Sequence, residues 1–161
     1  VENVSLDFYL TDLDNGEVKT SLSGTTALNL IPAGGEQVVY VHFNGPLPQR
    51  YQVNGALTAA LPYTISDQRY METSLSNQQT TLSADGLSAV VQGDISLSGD
   101  AQSSAVWIAA SAYDARGQVN GVRRWQADPP LKGGETVHFS INIYSSGAKI
   151  ERVELLAEAR R

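Results

Sequence analysis

Two similar stretches of sequence decide the fold: IPAGGEQVVYVHF, Ile31–Phe43, and PPLKGGETVHFSI, Pro129–Ile141. In both, a proline and a Gly-Gly-Glu turn precede a run in which apolar and polar residues alternate. Alternation with a period of two is typical of a strand with one buried face, because successive side chains point to opposite sides. The predicted inward rows are Val39, Val41 and Phe43 in the first copy and Val137, Phe139, Ile141 and Ile143 in the second.

The repeat extends beyond these two stretches. LDFYLTDLDNGEV, Leu6–Val18, matches VWIAASAYDARGQV, Val106–Val119, and each is an alternating run that ends in a glycine turn. In this alignment Leu13-Asp14 corresponds to Tyr113-Asp114, and Gly16 to Gly117. The C-terminal stretch VELLAEARR contains good helix formers, but the repeat favours a strand there. Further strands are predicted over Glu17–Ser23, Gln118–Gln126, Tyr51–Leu61 and Lys149–Ala159, and a hairpin over Thr73–Gly99 that turns at Asp85-Gly86.

Short strands separated by turn signals at regular intervals predict an all-β protein built from antiparallel β-sandwiches. We predict two domains in tandem, a β-sandwich over residues 1–68 and a second one over residues 69–161. The first copy has no counterpart of the Thr73–Gly99 hairpin. It is therefore a smaller domain, a domain without its opening strands, or a domain completed by linker residues, and the sequence leaves these alternatives open.

Composition excludes several classes of protein. The formal net charge is -6 and no basic cluster is present, which argues against binding to a phosphate backbone. The absence of cysteine excludes a disulfide scaffold and a thiolate metal site. No apolar run reaches the roughly 18 residues of a membrane-spanning helix. The first residue is Val1 rather than Met, which we interpret as a processed or trimmed chain.

The second half of the chain resembles the FxLYD domain. The similarity lies in Ala112-Tyr113-Asp114-Ala115-Arg116-Gly117, preceded by VQGDISLSG and followed by PPLKGGETVHFSI, and it covers roughly residues 86–160. The sequence departs from the motif at the leucine position, which is Ala112, and the first half looks like a degenerate relative. The resemblance implies immunoglobulin-like sandwiches on exported or membrane-attached bacterial proteins such as lipoproteins, and it implies no catalytic residues.

Few residues in the sequence suggest a catalytic or metal-binding site. Asp12 and Asp14 could contribute oxygen ligands to Ca²⁺, but their register does not fit an EF-hand loop, and a hairpin turn capped by aspartate is favoured. His42 and His138 are the only histidines and lie on corresponding strands of different domains, as exposed residues. Neither a Gly-x-Ser-x-Gly nor a His-Glu-x-x-His motif occurs. We therefore predict no catalytic residue, no metal and no cofactor.

Two tryptophans are the candidate ligand-binding residues. Trp107 and Trp125 could stack on the faces of a sugar, or they could pack against the second sheet as large aromatic residues commonly do. The favoured function is a non-catalytic structural and interaction module of an extracytoplasmic bacterial protein, which presents its surfaces or strand edges to a protein partner. The alternative is a carbohydrate-binding module that uses these two aromatic residues. Membrane attachment is expected only through an anchor outside this sequence.

Overall fold

A computed structural model describes residues 1–64 and 66–161 and consists of strands and loops, with no helix among these residues. Within these residues ten strands form three antiparallel sheets, and the chain divides into two compact units, Val1–Tyr63 (unit 1) and Thr64–Arg161 (unit 2). The predicted all-β, antiparallel class is confirmed. The strands are β1 Glu2–Asp12, β2 Val18–Thr25, β3 Tyr51–Leu61, β4 Tyr70–Met71, β5 Thr73–Leu82, β6 Ser88–Leu97, β7 Ala105–Tyr113, β8 Val119–Gln126, β9 Thr136–Tyr144 and β10 Arg152–Arg160.

The described part of the chain contains no helix long and apolar enough to cross a membrane.

Unit 1 contains a three-stranded sheet with β1 in the centre, β2 on one side and β3 on the other. The predicted strand over Val39–Phe43 is wrong, because this segment forms only an isolated bridge between Thr26 and Val39. Apart from this bridge and the bond from the Ala27 N–H to the Val38 carbonyl, no strand in the described residues pairs with the segment. The inward direction of the row is nevertheless correct. A Cβ atom on Gly24 of β2 would lie 2.9 Å from Cγ1 of Val41 and 3.0 Å from Cγ1 of Val39.

Unit 2 contains two sheets, with strand orders β4-β10-β7-β8 and β5-β6-β9. The predicted hairpin β5–β6, the strand β9 and the C-terminal strand β10 are all present, so the helical alternative for the C-terminus is excluded. β10 pairs along its whole length with β7, from Arg152 opposite Tyr113 to Arg160 opposite Ala105. This ladder explains why a stretch rich in helix formers is a strand: its partner supplies the hydrogen bonds that a helix would have made internally.

A single core lies between the two sheets of unit 2. The predicted row on β9 is confirmed, since Phe139, Ile141 and Ile143 are fully buried and Val137 packs against them. Val106, Ile108, Ala110 and Ala112 of β7 face the same core. On β6 the inward row continues through Ile95, which is fully buried, while Asp94 faces away and contacts His138.

The two glycine turns that follow β1 and β7 are closed by corresponding hydrogen bonds, although the first turn is one residue longer. Asp114 donates its N–H to the Gln118 carbonyl and accepts the N–H of Gly117, and Asp12 makes the same bonds with Glu17 and Gly16. By these contacts Asp12, and not Asp14, corresponds to Asp114. The predicted alignment of this turn is therefore wrong by two residues, although the turn glycines are correctly paired.

The Gly-Gly-Glu turns also match, with a shift of one residue. In the first copy the turn is closed by the Gly35 N–H and the Pro32 carbonyl, and Gly34 has a φ of 72°. In the second copy it is closed by Glu135 and Lys132, and Gly134 has a φ of 76°. Each turn thus needs glycine at its third position, where a positive φ is required. Counted from these turn glycines, the inward row begins five residues later in the first copy, at Val39, and three residues later in the second, at Val137.

Protonation of Asp114 is expected to destabilise unit 2. The pKa of this carboxyl group is lowered because its ionised form accepts the backbone N–H groups of Gln118 and Arg116. The unfolded chain therefore binds the proton more readily than the folded one, and stability is lost as the pH falls below about 4. Urea titrations between pH 3 and pH 7 measure this loss. Asp114→Asn should show a smaller loss over the same range, and an identical loss in both proteins would refute the linkage.

Candidate interaction surface

The third strand of unit 1 is exposed along its entire length. β3 lies at the edge of its sheet and pairs on one side with β1. The register is unbroken from Tyr51 opposite Asp12 to Leu57 opposite Leu6, and it shifts twice before Leu61 lies opposite Glu2. All 11 of its residues are exposed on both faces of the sheet. An edge strand has unpaired N–H and C=O groups along its free side, which can accept a further strand. β3 is therefore an open template for strand addition.

One face of β3 carries an apolar row. Leu57 is 64% exposed and pairs with Leu6 of β1, and Val53 pairs with Leu10, so both lie on the face that holds the apolar side chains of β1. Between them, Gly55 pairs with Phe8, whose ring covers it: a Cβ on Gly55 would lie 3.3 Å from the ring. Val39 and Val41 lie against this face at Gly24 of β2, whereas all residues of β3 are exposed.

The other sheet edges carry features that obstruct pairing. On β2, Lys19 lies 2.7 Å from Glu17 and 3.6 Å from Asp12. β8 carries Arg123 and Arg124, and β4 contains only two residues. Charged side chains and very short strands are the usual ways in which proteins protect an edge. β3 has none of these features, since it contains no charged residue and no proline.

The two remaining edges belong to the three-stranded sheet of unit 2. β5 is also uncharged, but its register with β6 shifts between Ser76 and Gln79, where Asn77 has a φ of 52°. Such a bulge interrupts the flat row of groups that a new strand needs. On β9, His138 lies 3.0 Å from Asp94 across the sheet surface. The uncharged edge of β3, whose register with β1 is unbroken over seven residues from Tyr51 to Leu57, is thus distinct from both.

The two tryptophans lie on opposite faces of one sheet and are not brought together. Trp125 pairs with Ile108 on the core side, and its ring centroid lies 6.0 Å from that of Phe139. Trp107 pairs with Gln126 on the outer side, where its indole N–H donates to the Gln126 side chain at 3.0 Å. A shared aromatic platform is therefore not formed, and a sugar site would have to use Trp107 alone.

The outer face around Trp107 contains a cluster that the sequence did not indicate. The Arg160 guanidinium lies 5.5 Å from the Trp107 ring and 5.3 Å from the Tyr70 ring, and it donates to Glu158 at 3.1 Å. Glu158 is buried and the Arg160 side chain is 35% exposed, so the ion pair and the cation–π contacts hold a partly buried guanidinium. Arg160 is thus held by the protein's own aromatic residues and carboxylate. Only the pairing of β10 with β4 and β7 brings these residues together.

Replacement of Trp125 tests whether this residue is structural. Because its ring packs on Phe139 in a half-buried position, we expect Trp125→Ala to reduce the free energy of unfolding by about 2 kcal/mol, below the loss for a fully buried aromatic residue. Urea denaturation measures this difference. A variant with unchanged stability but altered tryptophan fluorescence responses to oligosaccharides would instead support the sugar-binding alternative.

The polar residues singled out in the sequence are placed in turns or on exposed surfaces. Asp12 accepts the Asp14 N–H at 2.9 Å, and Asp14 lies 3.2 Å from Arg50, so both carboxylates already have partners within the protein. His42 is exposed. Asn77 and His138 both bond to Asp94, which lowers the pKa of that carboxyl group. Within residues 1–64 and 66–161 no three potential metal-ligating side chains are grouped around a common point.

Comparison of the sequence with protein-family models and with curated proteins gives no match.

Proposed function

We propose that this chain is a non-catalytic structural and interaction module of an exported or cell-envelope bacterial protein. It consists of two immunoglobulin-like units in tandem, related to FxLYD domains, and it captures a protein partner at a strand edge. The observation that carries the proposal is the open edge of β3, with its exposed apolar row. No cofactor is required for this function, since the contact is made by backbone groups and apolar side chains.

The immunoglobulin-like assignment is supported by the order of the strands in unit 2. The consecutive strands β6 and β7 lie in opposite sheets, and so do β8 and β9. β6 pairs with β9 in one sheet while β7 pairs with β10 in the other. A sandwich of three and four antiparallel strands with crossed connections of this kind is typical of immunoglobulin-like folds.

Strand capture is consistent with the structure of β3, because its backbone groups would supply affinity and its side chains would supply selectivity. The unpaired N–H and C=O groups would bond to the backbone of any extended segment. Selectivity would come from every second side chain of the partner, which would lie beside Val53 and Leu57. We therefore expect the partner segment to be extended, uncharged and apolar at alternate positions.

The proposal is tested with synthetic peptides of about eight residues, whose apolar and polar residues alternate, titrated against the labelled chain. We expect Leu57→Lys to weaken binding at least tenfold, because it places a charge in the apolar row. The matched control is Leu82→Lys at the end of β5, where the leucine is 44% exposed and belongs to the other unit. Equal binding to both variants, or no binding of any peptide, would contradict the proposal.

A further inference from the structure

We infer that Asn44-Gly45, in the loop that follows Val39–Phe43, is a site of spontaneous deamidation. The inference is independent of the proposed strand capture. Four Asn-Gly pairs occur in the chain, and they begin at Asn15, Asn44, Asn54 and Asn120. Asparagine is most reactive before glycine, because glycine has no Cβ to hinder the approach of its backbone nitrogen to the asparagine side chain. The four pairs differ in how firmly the structure holds them.

The reaction consumes water and releases ammonia. The backbone nitrogen of Gly45 loses its proton to solvent and bonds to Cγ of Asn44. The bond from Cγ to Nδ2 then breaks, and ammonia leaves with a proton taken from solvent, so that a five-membered succinimide ring remains. Water opens the ring at Cγ to give aspartate, or at the backbone carbonyl carbon to give isoaspartate. The formal net charge changes from -6 to -7, since one neutral amide becomes one carboxylate.

Both reacting groups of Asn44-Gly45 are accessible and unrestrained. Asn44 and Gly45 are exposed and lie outside the strands. Among the described residues, neither the Asn44 side chain nor the Gly45 N–H has a hydrogen-bond partner. A Cβ atom placed on Gly45 would meet no atom within 4 Å. The backbone can therefore bring the Gly45 nitrogen to Cγ of Asn44 without breaking a hydrogen bond or displacing a neighbour.

The pair Asn15-Gly16 is also exposed, but the turn after β1 restrains both of its reacting groups. The Gly16 N–H donates to the Asp12 carbonyl at 2.8 Å. The Asn15 side chain accepts the Glu17 N–H at 2.9 Å. Attack by the Gly16 nitrogen requires loss of these bonds, so this pair should react more slowly than Asn44-Gly45.

The remaining two pairs lie within strands. Asn54-Gly55 belongs to the unbroken part of the ladder between β3 and β1, and the Phe8 ring covers Gly55. Asn120-Gly121 lies in β8, where Asn120 is 8% exposed. Its side-chain amide donates to the Ala148 and Lys149 carbonyls at 2.9 and 3.3 Å. Cyclisation of either pair requires local opening of a ladder, which slows the reaction.

Peptide mapping compares all four pairs in one sample, because trypsin places them in different peptides: residues 1–19, 20–50, 51–69 and 117–123. The folded chain is incubated in mildly alkaline buffer, digested and compared with an unincubated sample by mass spectrometry, with fragment spectra that locate each change. We expect conversion at Asn44 at least tenfold faster than at the other three asparagines. In guanidinium chloride the four rates should agree within about threefold, because the next residue is always glycine.

A pair of variants gives the second measurement. On anion exchange the wild type should develop a more acidic fraction, and Asn44→Gln should not, since glutamine would have to form a larger ring. Asn54→Gln is the matched control and should develop this fraction at the wild-type rate, because Asn54 is also exposed and also precedes glycine. Equal conversion of the four pairs in the folded chain, or faster conversion at any pair other than Asn44-Gly45, would overturn the inference.

Discussion

Phe139→Ala is expected to reduce the free energy of unfolding of unit 2 by about 3–5 kcal/mol, the range for loss of a buried aromatic side chain. Phe139 is 1% exposed and lies at the centre of the core between the two sheets. Its ring contacts the Trp125 ring and fills the space above Gly93, where a Cβ atom would lie only 2.9 Å from Cζ. Rigid strands on both sides prevent collapse of the resulting cavity. Urea denaturation followed by tryptophan fluorescence measures the loss.

Tyr144→Ala on the same strand is the matched control. Tyr144 is 70% exposed, so removal of its ring should change stability by no more than about 0.5 kcal/mol. The two variants remove aromatic rings from opposite faces of the same strand. Together they test whether one face of β9 is buried and the other exposed. Similar losses of stability in the two would contradict the assignment of Phe139 to the core.

The second large effect is expected from Gly133→Ala. A Cβ atom at this position would lie 2.1 Å from the Gly99 carbonyl oxygen and 2.6 Å from its carbon, distances at which atoms overlap. Both are backbone atoms, so the overlap can be relieved only by moving a loop. The neighbouring Gly134 N–H donates to the Leu97 carbonyl and would move with it. We expect a loss of about 3 kcal/mol, at the upper end for overpacking, measured by thermal or urea unfolding.

Gly147→Ala separates this contact from the general effect of replacing a glycine. No atom lies within 4 Å of a Cβ placed at Gly147, and its φ is not in the positive region. Alanine at this position should be neutral or stabilising by up to about 1 kcal/mol, because it restricts the unfolded chain. If both glycine variants lost stability equally, the close approach between the loops at Gly99 and Gly133 would not be the cause.

The sequence correctly predicts those strands whose alternating side chains also have a hydrogen-bonded neighbouring strand. The row on β9, the hairpin turn at Asp85-Gly86 and the glycine turns were all found from alternation and turn residues. Alternation alone was insufficient for Val39–Phe43, because the side chains face inward as predicted but no neighbouring strand provides a ladder. A strand needs both a buried apolar face and a hydrogen-bonded neighbouring strand. The neighbouring strand depends on residues that are distant in sequence.

The candidate interaction surface was only partly predictable. Tyr51–Leu61 was identified as a strand with the observed bounds, but its position at an edge depends on the topology of the sheet. Its lack of charge over 11 residues is a signal present in the sequence, since edge strands are usually protected by charges. The placement of Trp107 and Trp125 on opposite faces follows from the register of β7 with β8. No local sequence pattern indicates this register.

Residue-resolved amide hydrogen exchange tests the open β3 edge most directly. Exchange is performed at a low chain concentration, quenched and read by NMR. Because β3 pairs with β1 on one side only, we expect protection at alternate residues between Tyr51 and Leu57, and protection of the remaining amides when the alternating peptide is added. Protection of every amide in the dilute chain without peptide, or of none with or without it, would contradict an open edge at β3.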